Sequence, residues 1–208
     1  MLCDNDVFKE SQVRVMPDVH PGKVGPIGFT ATFEDKIIPY VIGSEIGCGV
    51  SVCQVFKKKI EYQRLDNFIR DKIPVGHNIR SKPHELSDIN FSELYCEKAI
   101  NKEIAELSIG TLGGGNHFIE IDQCEQEDDY MYITVHSGSR NLGKMVTDHY
   151  LQLGQKYLKE KGILDVPYEL TWLEEDLMKQ YIHDVGVVSY YAYINRRAII
   201  NDIIKHMK

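Results

Sequence analysis

The chain has 208 residues, 43% of them hydrophobic and 26% charged, with a formal net charge of −7. This is an ordinary composition that suits one domain, or one large domain with excursions, around a sizeable core. The acidic balance argues against a generic, charge-driven nucleic-acid coat, because counterion release needs clustered Lys and Arg. The apolar runs fall well short of the roughly 18 residues a membrane span needs. No basic-apolar-small leader opens the chain, so a cytoplasmic location is expected. The five cysteines (Cys3, Cys48, Cys53, Cys96, Cys124) are odd in number and form no CxxC pair, which favours reduced thiols over a disulfide framework. Lys57-Lys-Lys59 and Arg196-Arg197 read as solvated surface or helix faces, with a local anion site left open.

In chain order, the first third predicts short strands between Gly- and Pro-rich turns: Gln12–Met16, Phe29–Phe33, Lys36–Val41 and Val50–Lys57. Glu61–Asp71 predicts a helix, since Tyr62, Leu65, Phe68 and Ile69 fall on one face. A loop with Pro74, Gly76 and Pro83 follows, then a helix over Ser92–Leu107 and strands over Asn116–Ile121 and Tyr130–His136. From Leu142 the periodicity is helical up to Gly162, and again from Trp172 towards Lys208, with Gly186 as a candidate kink. The expectation is an α+β fold in one region over 1–208, β-rich over 1–140 and helical over 141–208.

Chemistry concentrates in Gly-rich turns. Cys48 stands between Gly47 and Gly49, with Glu45 three residues before it. A thiolate there could bind or bridge divalent ions and Glu45 could add an oxygen ligand; a small buried cysteine in a tight turn is the plain alternative. His117 follows Gly113-Gly-Gly115 and Asn116, and His136 ends an apolar strand before Ser137-Gly-Ser-Arg140. Cysteine, two histidines and a carboxylate on glycine-bearing loops fit Mn²⁺, Zn²⁺ or Fe²⁺, and the sequence does not choose among them. Ser137, Ser139 and Arg140 offer hydroxyls, backbone N–H groups and a guanidinium ahead of a helix, an anion cradle or simply a helix cap with a surface arginine. No P-loop is present. Asp18 and His20, two apart, would share a strand face as partners that orient metal ligands, or would simply stabilise a turn.

Taken together, MPDVHPGKVGPIG (16–28), GSEIGCGV (43–50), GTLGGGNHF (110–118) and VHSGSRNLG (135–143) resemble the RtcB family of RNA-splicing ligases, in its shorter bacterial branch. The similarity extends through Asn195-Arg-Arg197. The resemblance implies an RtcB-like mixed or antiparallel β core with flanking helices. It also implies an activity that joins RNA 3′-phosphate or 2′,3′-cyclic phosphate ends to 5′-hydroxyl ends with GTP and two Mn²⁺ ions, through a guanylylated histidine. By position, Cys48 would bridge the ions, His117 and His136 would complete the first ion's protein ligands, and Glu45 would serve the second. Asn116 would touch the guanylate or phosphate, and Asp18 would support the cluster. RNA ends, and an archease-like activator, are the partners it suggests.

There are two departures from the family pattern. Glu45 stands where the family has Asp, which puts the second metal in question. The downstream half, with the third metal-binding histidine, the guanine pocket and the nucleophilic histidine, has no match after Arg197. The expectation is therefore a truncated, non-ligating part whose C-terminal half is absent or is a separate chain. A stand-alone metal-dependent cyclic phosphoesterase and a non-catalytic RNA-end-binding module are the competing readings.

Overall fold

The computed structural model describes residues 5–22, 24–56, 60–126 and 129–207, so Cys3 and Lys57-Lys-Lys59 lie outside the described residues. In chain order the elements are β1 (Val13–His20), β2 (Ile27–Ala31), β3 (Lys36–Ile37), α1 (Pro39–Ile42), β4 (Gly49–Phe56), α2 (Tyr62–Lys72), α3 (Lys102–Ser108), β5 (Phe118–Asp122), β6 (Tyr130–Ser137), α4 (Arg140–Glu160), β7 (Leu173–Glu174) and α5 (Glu175–Met207). The fold is α+β, and every pairing between named strands is antiparallel. The chain divides into two compact units, Met1–Ser44 with Lys144–Asp184, and Glu45–Gly143 with Val185–Lys208.

In the first unit β1 pairs with β2 and β3 with β7. Val7, Phe8 and Ile38 form a small core with Phe29, which meets Phe8 edge-on at 5.4 Å, and with Trp172. Tyr150 and Tyr181 pack with ring centroids 5.1 Å apart, and the Tyr150 hydroxyl donates to Asp184 Oδ2 at 2.8 Å. The strand expected over Lys36–Val41 stops at Ile37, because Pro39 opens α1: its fixed φ suits a first helical turn, where a missing N–H goes unnoticed. α4 ends as expected before Gly162, which takes φ +80° while the Ile163 N–H returns to the Leu158 carbonyl at 2.9 Å.

The second unit is a three-stranded sheet in the order β4-β6-β5. Its inner face carries Ile133 and Val135, packed against Leu65 and Ile73 and against Ile199, Ile200 and Ile203 of α5. The burial of β4 and β6 alternates because successive side chains of a strand point to opposite faces of the sheet. The helix expected over Ser92–Leu107 is instead two short 3₁₀ turns followed by α3. Asn90 and Asn101 explain the difference: their side-chain carbonyls accept from the N–H groups of Ser92 (3.2 Å) and Ile104 (3.1 Å), so each opens a new turn. α5 stays helical through Gly186, since a single glycine weakens a helix by only about 1 kcal/mol. Among the described residues, no helix is long and apolar enough to cross a membrane.

Candidate metal centre

The antiparallel register of β4, β6 and β5 brings three distant segments to one end of the sheet. Gly49 pairs with Ser137, and Val50 and Phe118 both pair with His136. Cys48 therefore precedes β4, and His117 precedes β5, at the point where His136 leaves β6. Cys48 Sγ lies 3.1 Å from His136 Nε2 and 3.6 Å from His117 Nε2. One donor atom from each of the three residues falls within 4.8 Å of the others. Sulfur and nitrogen ligands on a tetrahedral ion with bonds of about 2.3 and 2.0 Å would sit roughly 3.5 Å apart. The spacing fits.

The tautomer fits as well. His117 has a fully buried side chain, and its Nδ1–H donates to the Leu112 carbonyl at 2.8 Å. That bond leaves the Nε2 lone pair facing the sulfur, as a ligating imidazole requires. Nε2 also lies 3.3 Å from Glu45 Oε1. A nitrogen lone pair, a thiolate and a carboxylate crowded this closely repel one another unless a cation or a proton lies among them. Atoms packed round the Cys48 sulfur push its thiol pKa up, and Glu45 adds to this, while Arg196 and the Gly49 N–H pull it back part of the way. A coordinating cation reverses that preference for the neutral thiol.

Glu45 borders the trio rather than joining it. Its Oε1 is shared between His117 and Arg140 Nη1, the latter at 3.6 Å. Arg140 itself has φ +55°, a conformation that costs a non-glycine residue about 1–3 kcal/mol and is retained mostly at functional sites. Its guanidinium donates to Thr111 Oγ1 (3.2 Å) and to the Gly76 carbonyl (2.5 Å). Gly113 makes this possible: a Cβ there would lie 2.1 Å from Arg140 Nη1 and 2.8 Å from His117 Nδ1.

A family model described as tRNA-splicing ligase RtcB matches residues 6–102 and 91–208, and so takes in this whole cluster. The chain belongs to the RtcB family. Among curated relatives, RNA-splicing ligase RtcB of Escherichia coli (strain K12) is 29% identical over 95% of this chain and 53% of that protein. tRNA-splicing ligase RtcB of Archaeoglobus fulgidus is 26% identical over 89% and 49%. That of Nanoarchaeum equitans is 24% identical over 89% and 50%. The chain spans about half the length of the curated relatives it matches.

Two residues of the RtcB stretch at Asn195-Arg-Arg197 hold the centre together, and sequence reasoning missed both. Asn195 is fully buried; its Oδ1 accepts from the N–H groups of Gly110 (2.8 Å) and Thr111 (3.1 Å). Its Nδ2 lies 3.1 Å from the Thr111 carbonyl, Ser137 Oγ and the Gly138 carbonyl. One amide thus pins both histidine loops to α5. Arg196 is buried too, and it donates to the carbonyls of Gly47 (2.8 Å) and Ser137 (2.9 Å) and to Ser51 Oγ (3.0 Å). Reading Arg196-Arg197 as a solvated helix face is therefore corrected for Arg196; Arg197 is exposed, over the ring of Tyr193 at 5.6 Å. Asn195 and Arg196 fall in register with the inward positions Tyr191, Ala192, Ile199 and Ile203, and that was the available signal.

Of the other expected residues, Ser137 is buried and its hydroxyl donates to the same Leu112 carbonyl that orients His117, at 2.9 Å. Ser139 is buried, and among the described residues its hydroxyl has no hydrogen-bond partner. Asn116 is exposed beside His117. Asp18 and His20 belong to the other unit, on the exposed strand β1, where the His20 Nδ1–H donates to the Asp18 carbonyl at 2.8 Å. The remaining histidines have other settings. His84 meets Asp202 at 3.0 Å, His206 stacks on Phe68 at 4.0 Å, His149 packs edge-on to Tyr150, His183 Nδ1 lies 3.3 Å from Asp184, and His77 is exposed.

Proposed function

We propose that this chain is the metal-binding part of an RNA ligase that joins 3′-phosphate or 2′,3′-cyclic phosphate ends to 5′-hydroxyl ends, in RNA repair or tRNA splicing, with Mn²⁺ and GTP. The convergence of Cys48, His117 and His136 carries this reading. These three residues would hold the cation, with Glu45 at its border. A bound Mn²⁺ would neutralise phosphate charge and polarise the reacting phosphorus–oxygen bonds.

The chain's own residues supply position. The Leu112 carbonyl fixes the His117 tautomer, and the Ser137 hydroxyl anchors that carbonyl from the opposite loop. Arg140, held beside the centre in a strained backbone conformation, would pair with a phosphate as a fork of N–H donors, joined by the Ser139 hydroxyl; Asn116 would meet the same group from the solvent side. A supporting role for Asp18 is what the resemblance implies. A cytoplasmic location suits the thiolate ligand, which a reducing compartment preserves. By the resemblance, guanylyl transfer would need a downstream stretch that has no match after Arg197, so this chain alone would not ligate.

The test is manganese content by mass spectrometry, together with incubation in labelled GTP and Mn²⁺. Bound manganese that disappears in Cys48→Ala, with no protein–GMP adduct, is expected. Manganese content indifferent to Cys48 overturns the metal centre, and a stable adduct overturns the incomplete-part reading.

A further inference from the structure

Helix α5 is enveloped along its middle turns. From Val188 to Ile200 every residue is buried apart from half-buried Ser189 and three exposed ones, Tyr190, Tyr193 and Arg197. Spacings of three and four put those three on one line along the helix. The solvent face of a helix is ordinarily charged or polar, yet two of these positions are aromatic, Tyr190 at 56% and Tyr193 at 43% exposure. Their ring centroids lie 6.3 Å apart, and the Arg197 guanidinium lies over the Tyr193 ring at 5.6 Å. The line borders the metal centre. Ser189, Ala192 and Arg196, each one residue before a member of it, hold the turn that carries Cys48. A Cβ on Gly47 would lie 2.7 Å from Ser189 Cα and 3.0 Å from Ala192 Cβ, and Arg196 donates to the Gly47 carbonyl at 2.8 Å.

We infer that Tyr190, Tyr193 and Arg197 form a stacking platform for the single-stranded RNA whose end the metal centre receives. The inference rests on the ligase-part reading and adds to it the path of the strand. Bases stack on tyrosine rings whatever their sequence, and a guanidinium over one ring extends the stacked surface and meets a phosphate. At about 1.5 Å per helical residue, Tyr190 and Arg197 stand roughly 10 Å apart along the axis, the length of about three stacked nucleotides at ~3.4 Å each. Two observations favour RNA over a polypeptide. The opening on α5 comprises three side chains, whereas a stable protein interface takes roughly 20–30 residues a side. Its one charge is positive, so it draws a phosphate backbone locally on a chain whose net charge is −7.

The test is fluorescence anisotropy of a labelled single-stranded RNA of about ten nucleotides with a 3′-phosphate, titrated with the chain and Mn²⁺ at several salt concentrations. Tyr190→Ala and Tyr193→Ala are each expected to weaken binding about fivefold or more without changing its salt dependence, while Tyr190→Phe and Tyr193→Phe bind as the parent chain does. Arg197→Gln is expected to lower the slope of log affinity against log salt by about 0.7, the share of one phosphate contact on a single strand. Tyr62→Ala, which removes a ring of similar exposure (59%) from α2, is expected to change nothing. No RNA binding by the parent chain overturns the inference, and so does binding that both alanine variants retain or that Tyr62→Ala weakens equally. Self-association of the chain that the alanine variants abolish, read by light scattering, assigns the line to a protein contact and overturns it too. The same titration with a 3′-hydroxyl RNA, and with Cys48→Ala, keeps the two readings apart. Binding that needs the tyrosines but is indifferent to the 3′-phosphate and to Cys48 removes the ligase reading and leaves the platform. Binding that needs the 3′-phosphate and Cys48 but not the tyrosines removes the platform only.

Discussion

Asn195 and Ser137, 58 residues apart in the chain, meet through a hydrogen bond of 3.1 Å between Asn195 Nδ2 and Ser137 Oγ. The same serine donates to the Leu112 carbonyl, which also accepts from His117. An amide on α5 therefore sets the orientation of a candidate metal ligand that it never touches. Asn195→Ala leaves the N–H groups of Gly110 and Thr111 buried without an acceptor, which costs about 2–3 kcal/mol by the usual penalty for unsatisfied groups. Manganese affinity should fall roughly tenfold, as for other residues that position a ligand. Thermal unfolding and isothermal titration with Mn²⁺ measure the two effects separately; unchanged affinity in a folded variant refutes the positioning role.

Removal of a ligand should be harsher and more selective. Cys48→Ala and His136→Ala are each expected to lower Mn²⁺ affinity by two orders of magnitude or more, with little change in melting temperature, because Cys48 is exposed and His136 half-buried. His77→Ala, His84→Ala, His149→Ala, His183→Ala and His206→Ala should keep full metal content. Loss of metal in any of these five, with the fold intact, would place the centre elsewhere.

Gly113 accommodates the Arg140 guanidinium where any side chain would collide with it, and it does so at φ +89°. Gly113→Ala meets both obstacles, and a loss of about 2–4 kcal/mol is expected from strain and from displacement of Arg140. Denaturant unfolding gives the number. Gly114→Ala, whose added Cβ would come no closer than 3.8 Å to Gly76 Cα, is the matched control and should be nearly neutral.

Asp202 supplies a pH test away from the candidate metal centre. Burial pushes its carboxyl pKa up, but hydrogen bonds from His84 and Arg80 outweigh that, and the net shift is downward. An unfolded aspartate titrates near 3.9, so the stability linked to Asp202 is fully present above about pH 4 and is lost as the pH falls towards the lower folded value. Asp202→Asn should cost about 2 kcal/mol at neutral pH, since it leaves Arg80 without its charged partner at 2.6 Å. It should also flatten the loss of stability below about pH 4. Equal acid sensitivity in the variant and the parent chain rules this linkage out.

Much of the architecture was legible because the signals were local. β4 and β6 alternate side chains with a period of two, and the expected Val50–Lys57 and Tyr130–His136 agree with the observed strands to within a residue or so at each end. The Ser92–Leu107 segment misled because its apolar spacing is helical, while Asn90 and Asn101 draw backbone N–H groups into separate turns. Lys36–Val41 misled because its β-branched residues outweighed the proline that opens a helix. Arg196 defeated sequence reading for a different reason: an arginine pair looks solvated, and only the carbonyls of Gly47 and Ser137 gathered round one guanidinium show why it is buried.

Residue types and glycine placement were enough to nominate Cys48, His117 and His136, since thiolate and imidazole carry their ligand chemistry wherever the chain puts them. Their meeting depended on strand register: a slip of one residue in β6 against β4 would turn His136 to the opposite face. Tertiary structure alone also decided which nitrogen of His117 faces the sulfur, that Glu45 divides itself between His117 and Arg140, and that Asn195 and Arg196 serve the site from within a helix. Each of these is a contact between segments far apart in the chain, and contacts of that kind are set by packing and pairing, which leave no period or motif in the local sequence.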